Sequence, residues 1–126
     1  IHGITDSDVC DKPTLADVWP RVLAFVAAHG PVDVVANNAA FDRRLIAQSL
    51  HAHGLNEPPW TWRCSKPITQ RVMPGRASYS LQSLRRELKL DGGAAHRALG
   101  DVQTLAALLL HMRGVVGKPW GEWCTG

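Results

Sequence analysis

Apolar positions along this chain follow two patterns, long stretches at helical spacing and one short, nearly continuous run. Between residues 15 and 29, Val18, Val22, Phe25 and Val26 fall at helical spacing. Thr14 followed by Asp17 resembles a capping box with an acid in place of the usual Glu or Gln. Pro20 has no amide proton, so it is expected to kink or split this helix, and Gly30-Pro31 ends it. Residues 32–36 (VDVVA) are β-branched and apolar apart from one acid, the pattern of a buried strand. A helix is expected from about Phe41 to His53, stopped by Gly54. Residues 56–77 are irregular and rich in Trp, Pro and Arg, with room for a short strand near Trp62 and a helical stretch over Ile68–Val72. Ser80 reads as the N-cap of a helix carrying Leu81, Leu84 and Leu88, and Asp91-Gly92-Gly93 makes a loop. The last helix is expected over residues 98–113, burying Val102, Leu105, Leu109 and Met112 and ending at Gly114.

This order predicts an α/β domain over residues 1–114 and a tail, residues 115–126, whose Trp120 and Trp123 either dock or stay loose. A buried strand needs a partner on each edge, and one clear strand with one doubtful one does not supply them. Residues ahead of Ile1, or another chain, are therefore expected to complete the sheet; the chain does not open on Met, which fits a leading segment.

Composition narrows the class. With 45% hydrophobic and 20% charged residues, the chain reads as a soluble, cytoplasmic globular protein. Its apolar runs, residues 105–110 among them, are far short of the ~20 residues a membrane span needs. Cys10, Cys64 and Cys124 are sparse, odd in number and without CxxC spacing, which points to reduced thiols rather than disulfides or structural zinc. His51 and His53 lack a third ligand nearby and are read as surface residues.

The net charge of +3 conceals an asymmetry. Residues 1–42 set six Asp against Lys12 and Arg21, whereas residues 43–97 set ten basic side chains against Glu57, Glu87 and Asp91. A basic middle beside an acidic start suits a protein that holds a polyanion with one surface and a metal with another. An ordinary solvated basic face would give the same numbers.

Three groups stand where chemistry is commonly placed. Asp42 follows the expected strand through a short turn, and open α/β sheets bind ligands beyond the carboxyl ends of their strands. Asp101 falls in the first turn of the last helix, with His96 five residues before it. Two carboxylates supply the oxygen ligands that Mg²⁺ prefers, and an imidazole can take a proton from an attacking water. A structural reading stands beside this one: an acid in a first turn also offsets the helix dipole.

Four stretches, in order, resemble the DEDDh (DnaQ-like) 3′→5′ exonuclease family, which includes the proofreading subunit of bacterial replicative polymerases. Residues 1–5 (IHGIT) resemble the segment after the family's third strand, and residues 35–42 (VANNAAFD) its second motif, a strand end followed by HNxxFD. Tyr79-Ser80-Leu81 with Leu84 resembles the helix before the last motif. Residues 95–102 (AHRALGDV) resemble the third motif, H-x4-D in the form HRAxxD. The resemblance spans about residues 1–112. It implies an α/β, ribonuclease H-like exonuclease fold that lacks its first strands. It implies Asp42 as the second-motif carboxylate, Asp101 as a metal ligand and His96 as the general base, around a two-metal Mg²⁺ or Mn²⁺ site. It further implies a nucleic-acid 3′ end as substrate, DNA ahead of RNA, and a DNA polymerase as a partner. Asn38, Arg97, Arg76 and Arg71 are the candidate substrate contacts; Phe41 is expected to pack in the core.

Two departures from the pattern matter. Asn37 stands where the family usually has His, which predicts altered local hydrogen bonding. The first motif, D-x-E on the first strand, is absent, and Asp6-Ser7-Asp8 is read as a loop rather than its replacement. The isolated chain is therefore expected to hold an incomplete, inactive site. The alternative is a nucleic-acid-binding or polymerase-associated module of the same fold without catalysis.

Overall fold

The computed structural model describes residues 3–30 and 33–124. Six helices, α1 (Asp6–Val9), α2 (Leu15–Ala28), α3 (Ala39–Ala52), α4 (Ser65–Val72), α5 (Leu81–Leu88) and α6 (Ala98–Val116), accompany strands β1 (Asp33–Ala36) and β2 (Thr61–Cys64). The strands pair in parallel, Asp33 opposite Thr61 through Ala36 opposite Cys64, with α3 as the crossover. Parallel strands need such a connection because a tight turn only reverses the chain.

Local signals set most helix starts. Thr14 accepts from the Asp17 amide at 3.3 Å while the Asp17 carboxylate accepts from the Thr14 amide at 2.8 Å, so the acid completes the box. Thr5 and Asp8 repeat the device at α1, with the Thr5 amide 2.8 Å from the Asp8 carboxylate. Asp6-Ser7-Asp8 therefore lies in a capped helical turn. Ser80 caps α5 by accepting from the Ser83 amide at 3.2 Å.

Several expectations require correction. Of the kink or split expected at Pro20, the split does not occur: α2 runs unbroken from Leu15 to Ala28. Proline costs one hydrogen bond there, while the capping box and buried Trp19, packed against Trp60 with ring centroids 5.6 Å apart, hold the helix together. Phe25 faces outward and stacks on His29 at 4.5 Å. Strand β1 is half-buried rather than buried, because the sheet of the described residues has two strands and each leaves one edge unpaired. Val32 lies outside the described residues. Helix α6 runs through Gly114 to Val116 and stops at Gly117, which takes the left-handed conformation (φ 67°) that favours glycine. Its buried face is Thr104, Leu105, Leu108 and Met112, whereas Val102 is 61% exposed. Leu105 lies at the margin of the stripe centred on Leu108 and Met112, and Val102 falls beyond that margin, on the solvent side.

The core is built from Ile68, Met73, Leu84, Leu105, Leu108 and Met112, closed by Trp123 and Cys124. The C-terminal segment is thus docked as far as Cys124. Trp120 Nε1 donates to Asp33 Oδ2 at 2.8 Å, Arg71 Nη2 donates to the Trp123 carbonyl at 2.7 Å, and a 3-10 turn spans Trp120–Glu122. The cysteines are free thiols, and His51 and His53 are exposed. Among the described residues, no helix is long and apolar enough to cross a membrane.

Candidate active site

Asp42 and Asp101 occupy equivalent positions. Each is the fourth residue of its helix and each is half-buried. Asp42 enters α3 just beyond the carboxyl end of β1, after a turn through Asn37 and Asn38. Asn37, where the resemblance would place His, is tied into the fold by two hydrogen bonds. Its Oδ1 accepts from the fully buried Ser65 hydroxyl at 2.9 Å, and its carbonyl accepts from the Cys64 thiol at 3.8 Å. The end of β1 is thereby tied to the start of α4. Asn38 is the exposed N-cap residue of α3. Phe41 is 51% exposed, with the Arg44 guanidinium 6.0 Å from its ring centroid. Ala39 takes the core-facing place in this turn, and two residues on the helix has rotated Phe41 away, contrary to the core position expected for it.

Asp101 is held from α5: Gln82 Nε2 donates to Asp101 Oδ1 at 3.1 Å. His96 lies in the exposed loop before α6 with φ 58°, a left-handed conformation uncommon outside glycine. The loop is pressed against α6 by glycines. A Cβ at Gly93 would lie 2.6 Å from the Gly100 Cα, and one at Gly92 would fall onto the Thr104 hydroxyl. Arg85 closes the arrangement, with Nη1 2.5 Å from the Gly93 carbonyl and Nη2 2.9 Å from the Gly92 carbonyl.

The basic candidates divide. Arg97 is exposed at the N-cap of α6 and close to Gly3; its charge also helps hold the Asp8 carboxyl below the usual value, after the larger effect of the Thr5 amide and hydroxyl. Arg76 pairs with Glu87 and also meets Met73 Sδ at 3.6 Å; Arg71 is bound to the Trp123 carbonyl. Both guanidiniums thus have internal partners, and Arg97 is the one open to solvent beside His96.

The carboxylates offer the hard oxygen donors that Mg²⁺ or Mn²⁺ takes. Their number falls short of a complete site, since the described residues contain no group of three or more His, Cys, Asp or Glu able to hold a metal ion. Sequence reasoning picked out Asp42, His96 and Asp101 by spacing but missed Gln82, Arg85 and the glycine contacts. The Gly92-Gly93 pair was visible only as a loop, and the polar residues of α5 read as an ordinary helix surface.

Comparison with known proteins agrees with this arrangement of elements. The exonuclease family model matches residues 1–109. Exodeoxyribonuclease 10 of Escherichia coli strain K12 is 36% identical over 122 residues, covering 93% of this chain and 48% of the relative. The DNA polymerase III subunit epsilon of the same organism is 29% identical over 120 residues, covering 90% of this chain and 48% of the relative. A solved structure of exonuclease X in complex with 5′ overhanging duplex DNA superimposes with a TM-score of 0.73 at 34% identity, covering 98% of this chain and 68% of that one. The chain spans about half the length of the curated relatives it matches. With a ribonuclease H-like α/β fold and a family match over most of its length, this chain belongs to the exonuclease family.

Proposed function

We propose that this chain carries part of the catalytic centre of a divalent-metal-dependent 3′→5′ exonuclease acting on DNA. The observation that carries the reading is the placement of two half-buried carboxylates at the same position of two helices, with an exposed imidazole held just ahead of one of them. Asp42 and Asp101 supply oxygen ligands to Mg²⁺ or Mn²⁺, and acids from polypeptide outside residues 1–126 complete the set. Among the described residues β1 and β2 each keep one unpaired edge, which supports this, as do the exposed apolar side chains Phe41 and Leu45 on α3 and Leu99 and Val102 on α6, which flank the two acids. A bound metal would lower the pKa of a coordinated water and stabilise developing charge.

The work of the chain's own residues is more limited. A ring nitrogen of His96 accepts the proton of the water that attacks the terminal phosphodiester. A new P–O bond forms between the water oxygen and phosphorus, and the P–O3′ bond breaks. O3′ takes up a proton from solvent to leave a 3′-hydroxyl on the shortened strand, His96 later returns its proton to solvent, and a nucleoside 5′-monophosphate leaves. Arg97 and Asn38 face the strand and contact its backbone. The relative named as a polymerase subunit brings a DNA polymerase into the proposal as a second partner.

The test uses protein from the complete reading frame, a 3′-labelled single strand, and Mg²⁺ or Mn²⁺. His96→Ala should lower kcat by about 10²- to 10⁴-fold while leaving the melting temperature unchanged. Full activity in His96→Ala, or activity that persists in excess chelator, overturns the assignment. A folded wild-type protein that binds the strand and releases no nucleotide would favour the non-catalytic binding module.

A further inference from the structure

Helix α5 presents two polar side chains three residues apart, and the two reach different parts of the candidate site. Gln82 donates to the Asp101 carboxylate, and Arg85 grips the loop that carries His96. Residues at that spacing share a helix face, so one rigid element meets both groups. Arg85 is half-buried, and its guanidinium spans the consecutive carbonyls of Gly92 and Gly93. A planar fork with several fixed donors suits this task, whereas an ammonium offers a single point of charge. The backbone of Arg85 joins in, because its carbonyl accepts from the Leu90 amide at 3.0 Å and from Lys89, which closes α5 in a left-handed cap (φ 52°). The chain is thus held at both ends of its exit from α5.

The loop has little freedom of its own to fix His96. Beyond Arg85, its restraints are the glycine packing on α6 and a turn closed by the Arg97 amide on the Ala94 carbonyl at 3.4 Å, and His96 sits in the left-handed conformation that disfavours a non-glycine residue. Such a backbone persists only where its surroundings over-determine it.

We propose that α5 is the positioning element of this site: Gln82 orients Asp101, and Arg85 clamps residues 92 and 93 so that His96 is presented at a fixed place. Neither residue touches the substrate. The inference rests on the catalytic reading of His96 and Asp101 given above. Groups that orient a reacting residue through one hydrogen bond are commonly worth about 10- to 100-fold in activity.

The experiment measures strand digestion by protein from the complete reading frame, comparing wild type, Arg85→Ala, Arg85→Lys, Gln82→Ala and His96→Ala. Arg85→Ala should lose about 10- to 100-fold in kcat with KM for the strand unchanged, and added guanidinium ion should restore a large part of that loss. Arg85→Lys should behave as Arg85→Ala does, because it keeps the charge and loses the fork; it also serves as the test variant if Arg85→Ala melts early. Gln82→Ala should likewise lower kcat without raising KM. Hydrogen exchange of residues 91–97 should accelerate in the Arg85 variants while α6 stays protected. Wild-type kcat in both Arg85 variants overturns the clamp, as does a loss that appears entirely in KM or that guanidinium leaves untouched. His96→Ala separates the two failures. An inactive His96→Ala beside fully active Arg85 variants sinks the clamp alone, whereas an active His96→Ala sinks the catalytic reading and the clamp with it.

Discussion

Replacing Gly100 by alanine probes whether the loop carrying His96 is set by its contact with α6. Gly100 is buried in the first turn of that helix. A Cβ built there lies 2.7 Å from the Ala94 amide nitrogen, 2.8 Å from the Gly93 carbonyl carbon, and closer still to the Ala94 carbonyl oxygen. All three are backbone atoms, so no side chain can swing aside. Ordinary contact begins at 3.4 Å, and the loop must therefore retreat by at least 0.7 Å, more on the carbonyl side. Overpacking of this kind costs about 1–3 kcal/mol, partly offset by about 1 kcal/mol of better helix propensity. A net loss of about 1 kcal/mol corresponds to a melting temperature lower by about 4 °C. The effect on catalysis should be larger, because a misplacement approaching 1 Å can cost about 10²-fold in rate. The control lies on the same helix. Gly114 is exposed, has nothing within 4 Å of a built Cβ, and should gain about 0.5–1 kcal/mol as alanine with no change in activity. Thermal melts and strand digestion would be measured for both variants. If Gly100→Ala proves as stable and as active as Gly114→Ala, the loop is not held by this contact and the reasoning fails.

Two further outcomes follow from packing and from charge. Leu108 is fully buried at the centre of the core, so Leu108→Ala should cost about 2–5 kcal/mol in urea unfolding; a cost below about 1 kcal/mol would mean that the site collapses freely. The Asp17 carboxyl is held below its ordinary value by the Thr14 amide and then by the Thr14 hydroxyl. Because the folded value is the lower one, this contribution is fully present above the ordinary Asp value of 3.8 and is lost as pH falls through the folded value. The stability gap between wild type and Asp17→Asn should hold steady near neutrality and close in acid. A gap that stays open at the acid end would show that the capping acid is not the titrating group.

The sequence by itself determined what depends on neighbours along the chain. Thr14 with Asp17 and Ser80 with Ser83 mark helix starts because a cap needs only a side chain and an amide three residues apart. The β-branched run before Asn37 and the spacing of Leu81, Leu84 and Leu88 placed β1 and α5 for the same reason. The candidate residues Asp42, His96 and Asp101 stood out as residues at fixed offsets from those elements, and all three fall within residues 1–109, which the family model matches.

Tertiary structure decided everything that joins distant segments. Spacing alone could not choose between Leu105, Leu108 and Met112 and a stripe through Val102, since α6 is apolar almost all round and only α4 and α5 fix which side is covered. Nor could spacing show that the tail closes the core through Trp123, or that Asn37 reaches Ser65 across 28 residues of sequence. The restraint on His96 is of the same kind. It depends on a guanidinium eight residues from the carbonyl it holds and on a glycine whose missing side chain lets two backbones touch, and neither leaves a periodic trace in the sequence.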